Sequence, residues 1–423
     1  MRRHIRTRLL VIAMLLACVP VRSAPDRHAI DWLPVHEVAS GDGTKGPWRQ
    51  NDSHYDYVDD GTLAFLPGGG LAVAWVDQRR KEVLLQVLGP DGHAGAAVDV
   101  SRNPATFSWM PRIAAGGPDT LHVLWQEIIF SGGSHGGDIL YARSLDGGRS
   151  FSQPVNLSRS LGGDGKGRLD RDTWSNGSLD LAVGADGKVY AAWTEYDGAL
   201  WLARSRDGGR SFTPPQRIAG DTGRPARGPS LALGNGGKVY LAWTVGEDPD
   251  ADIRVSSSLD DGASFSPPVL VGARAARADA PRVAIDGDGR LHLVYLEQAG
   301  KQPAVIRHAR SDGLELAFGT PRTLSARGEA ALAPHLAVDA HGRVHIAWES
   351  AQGLRYTRDA GAAAPVTVPH SRPVAGARQG SQQGLLGKKL AAGGGMVALV
   401  NSSLAQGRGS RVWVMRGRLP ASR

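Results

Sequence analysis

The chain has 423 residues, including 56 glycines, 11 tryptophans and a single cysteine, and a formal net charge of +8. Its first 23 residues hold five arginines and no acid, so the rest carries only +3, which removes the main support for a nucleic-acid-binding role. One cysteine excludes a disulfide framework, and no long helical period follows the first two dozen residues.

The N-terminus reads as an export signal. Arg2, Arg3, Arg6 and Arg8 form a basic start, and Leu9 to Val19 is an apolar run too short to span a bilayer comfortably. Pro20 breaks that run, and Val21-Arg22-Ser23 ahead of Ala24 suits signal peptidase. The expected organisation is a signal peptide over residues 1–23 and one domain over 24–423, exported to the periplasm or secreted. A second reading stays open. Leu15-Leu16-Ala17-Cys18 resembles a lipobox, which would make the protein a lipoprotein anchored to the membrane through Cys18.

A lone strand pattern from Pro34 to Ser40 comes next, and then a unit that repeats about every 40–50 residues. Each unit opens with a short apolar run, such as Arg112 to Ala115, followed by a Gly- and Asp-rich turn. A second run ends in an aromatic: Trp75, Trp125, Trp193, Trp243, Tyr295 and Trp348. Apolar residues alternate with period two, the mark of strands. A third strand follows, as in Ile139 to Arg143 and Leu200 to Arg204. A fourth opens with Pro154, Pro215, Pro268, Pro321 or Pro365, and proline fits the outer edge of a sheet. Between the third and fourth strands stands Ser-x-Asp-x-Gly-x-x-Phe, at Ser144 to Phe151, Ser205 to Phe212 and Ser258 to Phe265. Its glycines supply the positive φ of a tight turn, and its aspartates can accept hydrogen bonds from nearby backbone N–H groups.

Six such units are clear. A seventh, over Lys388 to Gly417, has no fourth strand after it, and the segment from Pro34 to Ser40 is expected to supply one. The fold class is therefore an all-β propeller of four-stranded blades, seven expected with six as the alternative count, whose last blade is closed by the N-terminal strand.

The repeated phrase resembles the Asp-box, or BNR repeat, of the sialidase (neuraminidase) superfamily. That resemblance covers most of residues 24–423 and implies a propeller whose boxes lie at the rim, away from the active site. Sialidases have six blades, so seven would be a departure. The family also implies three arginines on a sugar carboxylate, a tyrosine nucleophile activated by glutamate, and an aspartate acid/base. Here Met110-Pro111-Arg112-Ile113 is the nearest match to the family's first arginine phrase, with its order altered. Arg112 and Arg282 could be two of the three arginines, with Arg227 or Arg171 as the third. The loop tyrosines Tyr55, Tyr57 and Tyr196 stand in the wrong part of the chain for the family pattern, so the catalytic resemblance is partial.

Residues that recur in every unit serve the unit; those that break the repeat are candidates for chemistry. The recurring aromatics read as packing between blades. Asp77, Glu127, Glu195 and Glu297, two residues beyond the aromatics, read as pairing groups at strand ends, and His122, His292 and His345 as structural. The position thirteen residues before each aromatic varies instead: Thr62, Arg112, Asp180, Ser230, Arg282 and His335. It should border the central channel. The loops on the same face add Trp109, Arg168, Asp170, Arg171, Asp172, Trp174, Arg224, Arg227, Arg277 and Asp279. Clustered arginines favour a carboxylate- or sulfate-bearing ligand, because a guanidinium pairs bidentately with such groups. The ligand-binding set is Arg112, Asp180, Arg227, Arg282 and His335. No metal or cofactor motif is present; Asp248, Asp250 and Asp252 read as a solvated acidic turn, with a calcium site as the alternative. The function these features point to is binding of a glycan or other anionic ligand without the full catalytic set. The alternatives are an exo-α-sialidase-like glycoside hydrolase and a scaffold that binds an envelope protein.

Overall fold

The structure is a computed structural model. It describes residues 30–420 apart from 48, 50, 132–133, 160–177, 196–197, 222, 247–249, 273–275, 312–315, 359–360, 373–377 and 380–386, and describes no side chains at 128–136 and 378–379. The export signal and Cys18 therefore lie outside the described residues, as do Arg168, Asp170, Arg171, Asp172, Trp174, Tyr196 and Asp248.

Seven antiparallel blades follow one another along the described chain, and a separate two-stranded ribbon, Thr44–Lys45 with Tyr55–Asp56, precedes the first. Blades 1 to 6 each contain four strands in sequence order, with the first innermost: the inner strands are Val58–Phe65, Phe107–Ala115, Leu179–Val183, Ala226–Gly234, Arg277–Ile285 and Leu332–Val338. The outermost strands are short, only two residues in blades 1, 2, 5 and 6, as expected where proline interrupts the ladder at an edge. Blade 7 runs outward through Leu390–Gly393, Met396–Ala405 and Gly409–Arg418. Its fourth strand comes from the other end of the chain. His36–Gly41 pairs antiparallel with Gly409–Arg418, from His36 opposite Val414 to Gly41 opposite Ser410, and Asp31–Trp32 extends the same edge. The seven-blade count and the N-terminal closure are thus both seen.

The core lies between blades. Trp125 packs on Val83 and Leu85 of blade 1, Trp193 on Phe107 and Tyr141 of blade 2, and Trp348 on Val294 and Ile306 of blade 5. Each tryptophan is almost wholly buried, so it contributes as an inter-blade plug, with a side chain among the largest apolar surfaces a protein can bury. Blade 7 departs from the pattern. Asn401 stands where the aromatic would be, and Trp413 of the next strand fills the gap against Ala347 and Tyr356 of blade 6.

On the face away from the inner-strand starts, the three Ser-x-Asp turns are built alike. In the second copy, Gly209 N donates to Ser205 Oγ at 2.8 Å, Ser205 Oγ donates to Asp207 at 2.7 Å, and Ser211 N donates to Asp207 at 3.0 Å. Gly209 has φ 77°, and a Cβ there would lie 1.8 Å from the Tyr141 hydroxyl, so nothing larger than glycine fits. The turn also grips its neighbour: Arg143 of blade 2 donates to Gly208 O at 2.7 Å, and Arg204 of blade 3 to Asp261 O at 2.9 Å.

Candidate functional site

Among the described residues, the inner strands of blades 1, 2, 4, 5 and 6 carry a bulge near their starts. Pairing with the second strand shifts between Asp59 and Thr62, Arg227 and Ser230, Asp279 and Arg282, and Leu332 and His335. The residue two before each of these channel positions has positive φ: Asp60, Met110, Gly228, Ala280 and Ala333. The bulge turns the next side chains toward the axis, a common use of bulges. Thr62, Arg112, Asp180, Ser230, Arg282 and His335 therefore occupy equivalent positions, each paired with the residue before the second-strand aromatic. Blade 7 contributes Lys389, whose carbonyl accepts from Val400 N at 3.0 Å. Counting back from an aromatic misses Lys389, because Asn401 replaces the aromatic and the hairpin is one residue shorter; the doublet Lys388-Lys389 just ahead of an apolar run was the available signal.

All seven hub residues are buried, none more than 5% exposed. The sequence suggested an open mouth lined by these groups; what forms is a packed polar floor. Most of the seven are held by neighbouring blades. Arg112 Nε donates to Leu179 O of blade 3 at 3.0 Å, Asp180 accepts from Leu231 N of blade 4 at 2.7 Å, and Ser230 Oγ accepts from Val283 N of blade 5 at 3.1 Å. Thr62 donates to Lys388 O at 3.1 Å, and Arg282 reaches Gly387 O at 3.3 Å. Lys388 crosses the hub to blade 3, with its Nζ 2.7 Å from Asp180 Oδ1 and 3.0 Å from Leu181 O. Lys389 pairs with Glu349 of blade 6 at 2.5 Å.

His335 is the exception. Among the described residues neither buried ring nitrogen has a side-chain hydrogen-bond partner, and the Gly387 backbone is the hydrogen-bonding group that acts on the ring. Burial, with Lys389, Arg282 and Arg112 around it, pushes its pKa well below the usual imidazole value, so the ring is neutral. Burial and the nearby Arg282 lower Arg112 to about 10, against the pull of Asp180 and Asp60. Asp59, at the start of the blade 1 inner strand, is raised to about 7 by burial and by Asp60, which Ser402 and Lys389 only partly offset. Its Oδ1 is buried without a partner. Asp60 accepts from Met110 N of blade 2 at 3.1 Å. Neither aspartate is prominent in the sequence, since both precede the varying position.

The loop candidates divide. Arg227 and Arg277 both approach Asp279 Oδ2, at 3.1 and 3.2 Å, while Asp279 Oδ1 accepts from Thr244 Oγ1 at 2.9 Å. Two arginines expected to hold a ligand carboxylate thus share a carboxylate of the chain itself. Arg224 lies 3.8 Å from Asp252, and Trp109 is buried in the core beside Phe107. Tyr55 and Tyr57 are buried side by side at the start of blade 1. Burial, then Asp59 and Asp60, push the Tyr57 hydroxyl well above its ordinary pKa, which disfavours the phenolate a nucleophile needs.

The recurring groups have structural partners. Asp77 accepts from Arg79 N and Arg80 N, Glu127 bonds Thr106 and Asn103, and Glu297 pairs with Arg307. His122 bonds the Tyr141 hydroxyl and His345 that of Tyr356, both at 2.6 Å. Among the described residues no group of His, Cys, Asp and Glu could hold a metal ion.

No protein-family model matches the chain, and no curated protein matches it in sequence. Solved structures match in fold. An ulvan lyase, a polysaccharide lyase bound to -[GlcA(1-4)Rha3S]-, has a TM-score of 0.54 at 12% identity, over 84% of this chain and 94% of the lyase. A protein of unknown function from Dyadobacter fermentans has a TM-score of 0.51 at 12% identity, over 91% and 99%. A Hadza microbial sialidase has a TM-score of 0.47 at 14% identity, over 70% and 64%. The fold is a seven-bladed β-propeller. At these identities the likeness concerns architecture alone, and seven blades remain a departure from the six of sialidases.

Proposed function

We propose that this sialidase-like propeller is an exported protein that binds a glycan bearing a carboxylate or sulfate on its inner-strand-start face, without hydrolysing it. The observation that carries the reading is His335, a buried neutral imidazole with no side-chain hydrogen-bond partner among the described residues, surrounded by Arg112, Arg282 and Lys389. A buried imidazole without a side-chain partner can bond a water, an ion or a polar group of a ligand. Three cations around it favour an acidic group. Ulvan lyase, which shares the architecture, was solved with a glucuronate-containing sulfated sugar. The high pKa of Tyr57 supports binding over turnover by a tyrosine nucleophile.

Calorimetric titration with matched acidic and neutral oligosaccharides tests this. Binding is expected from acidic members only, weakened at least tenfold by His335→Gln, with no release of fluorophore from an aryl sialoside. Equal binding of neutral sugars would refute the reading, and turnover lost in Arg112→Ala would establish the hydrolase instead. Intact-mass measurement of the exported chain decides its processing: an N-terminus at Ala24 is expected, and a lipidated Cys18 would overturn that.

A further inference from the structure

On the inner-strand-start face a cavity of about 360 Å³ opens between blades 5 and 6. We propose that this cavity is a second subsite, which takes an acidic sugar ring next to the one at the hub; it rests on the glycan-binding reading above. Its lining includes Ala280 and Ala333, where the inner strands of the two blades bulge, two residues before the hub residues Arg282 and His335. Its size lies at the lower end of small-molecule sites, about 300–1,000 Å³, room for a short sugar segment.

The lining suits a pyranose. Leu332 is 42% exposed, the one large aliphatic side chain so exposed on any described inner strand, and with Pro303 it offers an apolar surface to the C–H face of a ring. Gln298 and Asp279 form the polar wall, held in place by the chain: Gln298 Nε2 donates to Gln302 O at 3.0 Å, and Arg277 lies between the two, 3.4 Å from Gln298 Oε1 and 3.2 Å from Asp279 Oδ2. Two cations, Arg277 and Lys301, face a single carboxylate, and Asp279 is already shared by Arg227 and Arg277. Lys301 makes no ion pair among the described residues, which leaves its charge for a ligand acid. A few polar groups fixing orientation beside an apolar wall is the usual plan of a small-ligand site.

The test uses the full mature protein and glucuronate-containing sulfated mono-, di- and tetrasaccharides. Calorimetry is run on the wild type, Lys301→Glu, Leu332→Trp and His335→Gln, with thermal melts to verify folding. The wild type should bind the disaccharide at least tenfold more tightly than the monosaccharide. Lys301→Glu and Leu332→Trp should abolish that length dependence while monosaccharide binding persists. If both variants keep the length dependence and only His335→Gln loses affinity, the subsite is refuted and the hub reading stands. If the variants at 301 and 332 lose all binding while His335→Gln does not, the cavity is the site and the hub reading falls. No binding of any member by the wild type overturns both.

Discussion

Three second-strand histidines look alike in sequence but differ in their partners, and the difference predicts acid sensitivity. His122 and His345 each bond a tyrosine hydroxyl on the third strand. In blade 5 the tyrosine position is His308, so His292 Nδ1 meets His308 Nε2 at 3.0 Å, with the rings stacked and Asp286 3.0 Å from the other face of His292. Burial, then His292, Arg310 and Arg322, lower His308 to about 4 from an unfolded value near 6.5. Above pH 6.5 the ring is neutral in both states and the fold loses nothing. As pH falls from 6.5 toward 4 the unfolded chain takes up the proton and the native ring does not, so stability declines. At pH 4.5 the difference is about 2.5 kcal/mol, a large share of the roughly 5–15 kcal/mol that holds a domain together. His308→Tyr would copy the pairing of blades 2 and 6 and remove the titrating group. Urea unfolding followed by tryptophan fluorescence at pH 7.5 and 4.5 should show the variant within about 1 kcal/mol of wild type at the higher pH and about 2 kcal/mol more stable at the lower. Parallel losses in the two proteins would refute the assignment.

Three further outcomes follow from the same contacts. Ser205→Ala leaves the buried Gly209 N without its acceptor and should cost about 1–2 kcal/mol, measured by urea midpoint, with no change in any ligand affinity. Glu349→Leu strands Lys389 as a buried cation and should cost about 3–5 kcal/mol, most of it recovered in the double variant with Lys389→Met; an additive double-variant cycle would show that the pair does not interact. Removing residues up to Gly41 exposes the whole Gly409–Arg418 edge and should give aggregates on size exclusion, whereas a monomer melting at the wild-type temperature would show that closure is dispensable.

The fold was legible because its signals are local and repeated. Period-two strands, edge prolines and glycines that must take positive φ recur in register, and each specifies its blade without long-range information. Closure was legible too, because the last unit lacked a fourth strand and the first segment had one to spare. The hub was legible only as a set of positions. Sequence spacing could say that Arg112, Asp180, Arg282 and His335 converge, but not that seven side chains meeting near one axis would be buried and, His335 apart, held by bonds to other blades. Asp59 and Lys389 escaped notice for a related reason. Their behaviour depends on neighbours from other blades: Ser402 of blade 7 stands beside Asp59 of blade 1, which only the closed ring brings together, and Glu349 of blade 6 stands beside Lys389 of blade 7.

Variation at a repeated position is weaker grounds for a ligand site than it first suggests. Arg112, Asp180 and Ser230 differ in chemistry, yet each bonds the backbone of the next blade, so the joint between blades alone explains them. Two groups on other blades differ from these three. His335 of blade 6 and Asp59 of blade 1 have buried polar atoms without side-chain partners among the described residues, and Lys389 of the intervening blade 7 influences both. The cavity lined by Leu332 and Lys301 adjoins this arc on its blade 5 side. The floor of the propeller is therefore asymmetric: Arg112, Asp180 and Ser230 bond from blade to blade across blades 2 to 5, whereas His335 and Asp59 lie on blades 6 and 1 beside Lys389 of blade 7. A ligand engaging the hub should protect amides of blades 5, 6 and 7 from hydrogen exchange and leave those of blades 2 to 4 unchanged. Uniform protection around the ring would mean that the asymmetry has no bearing on binding.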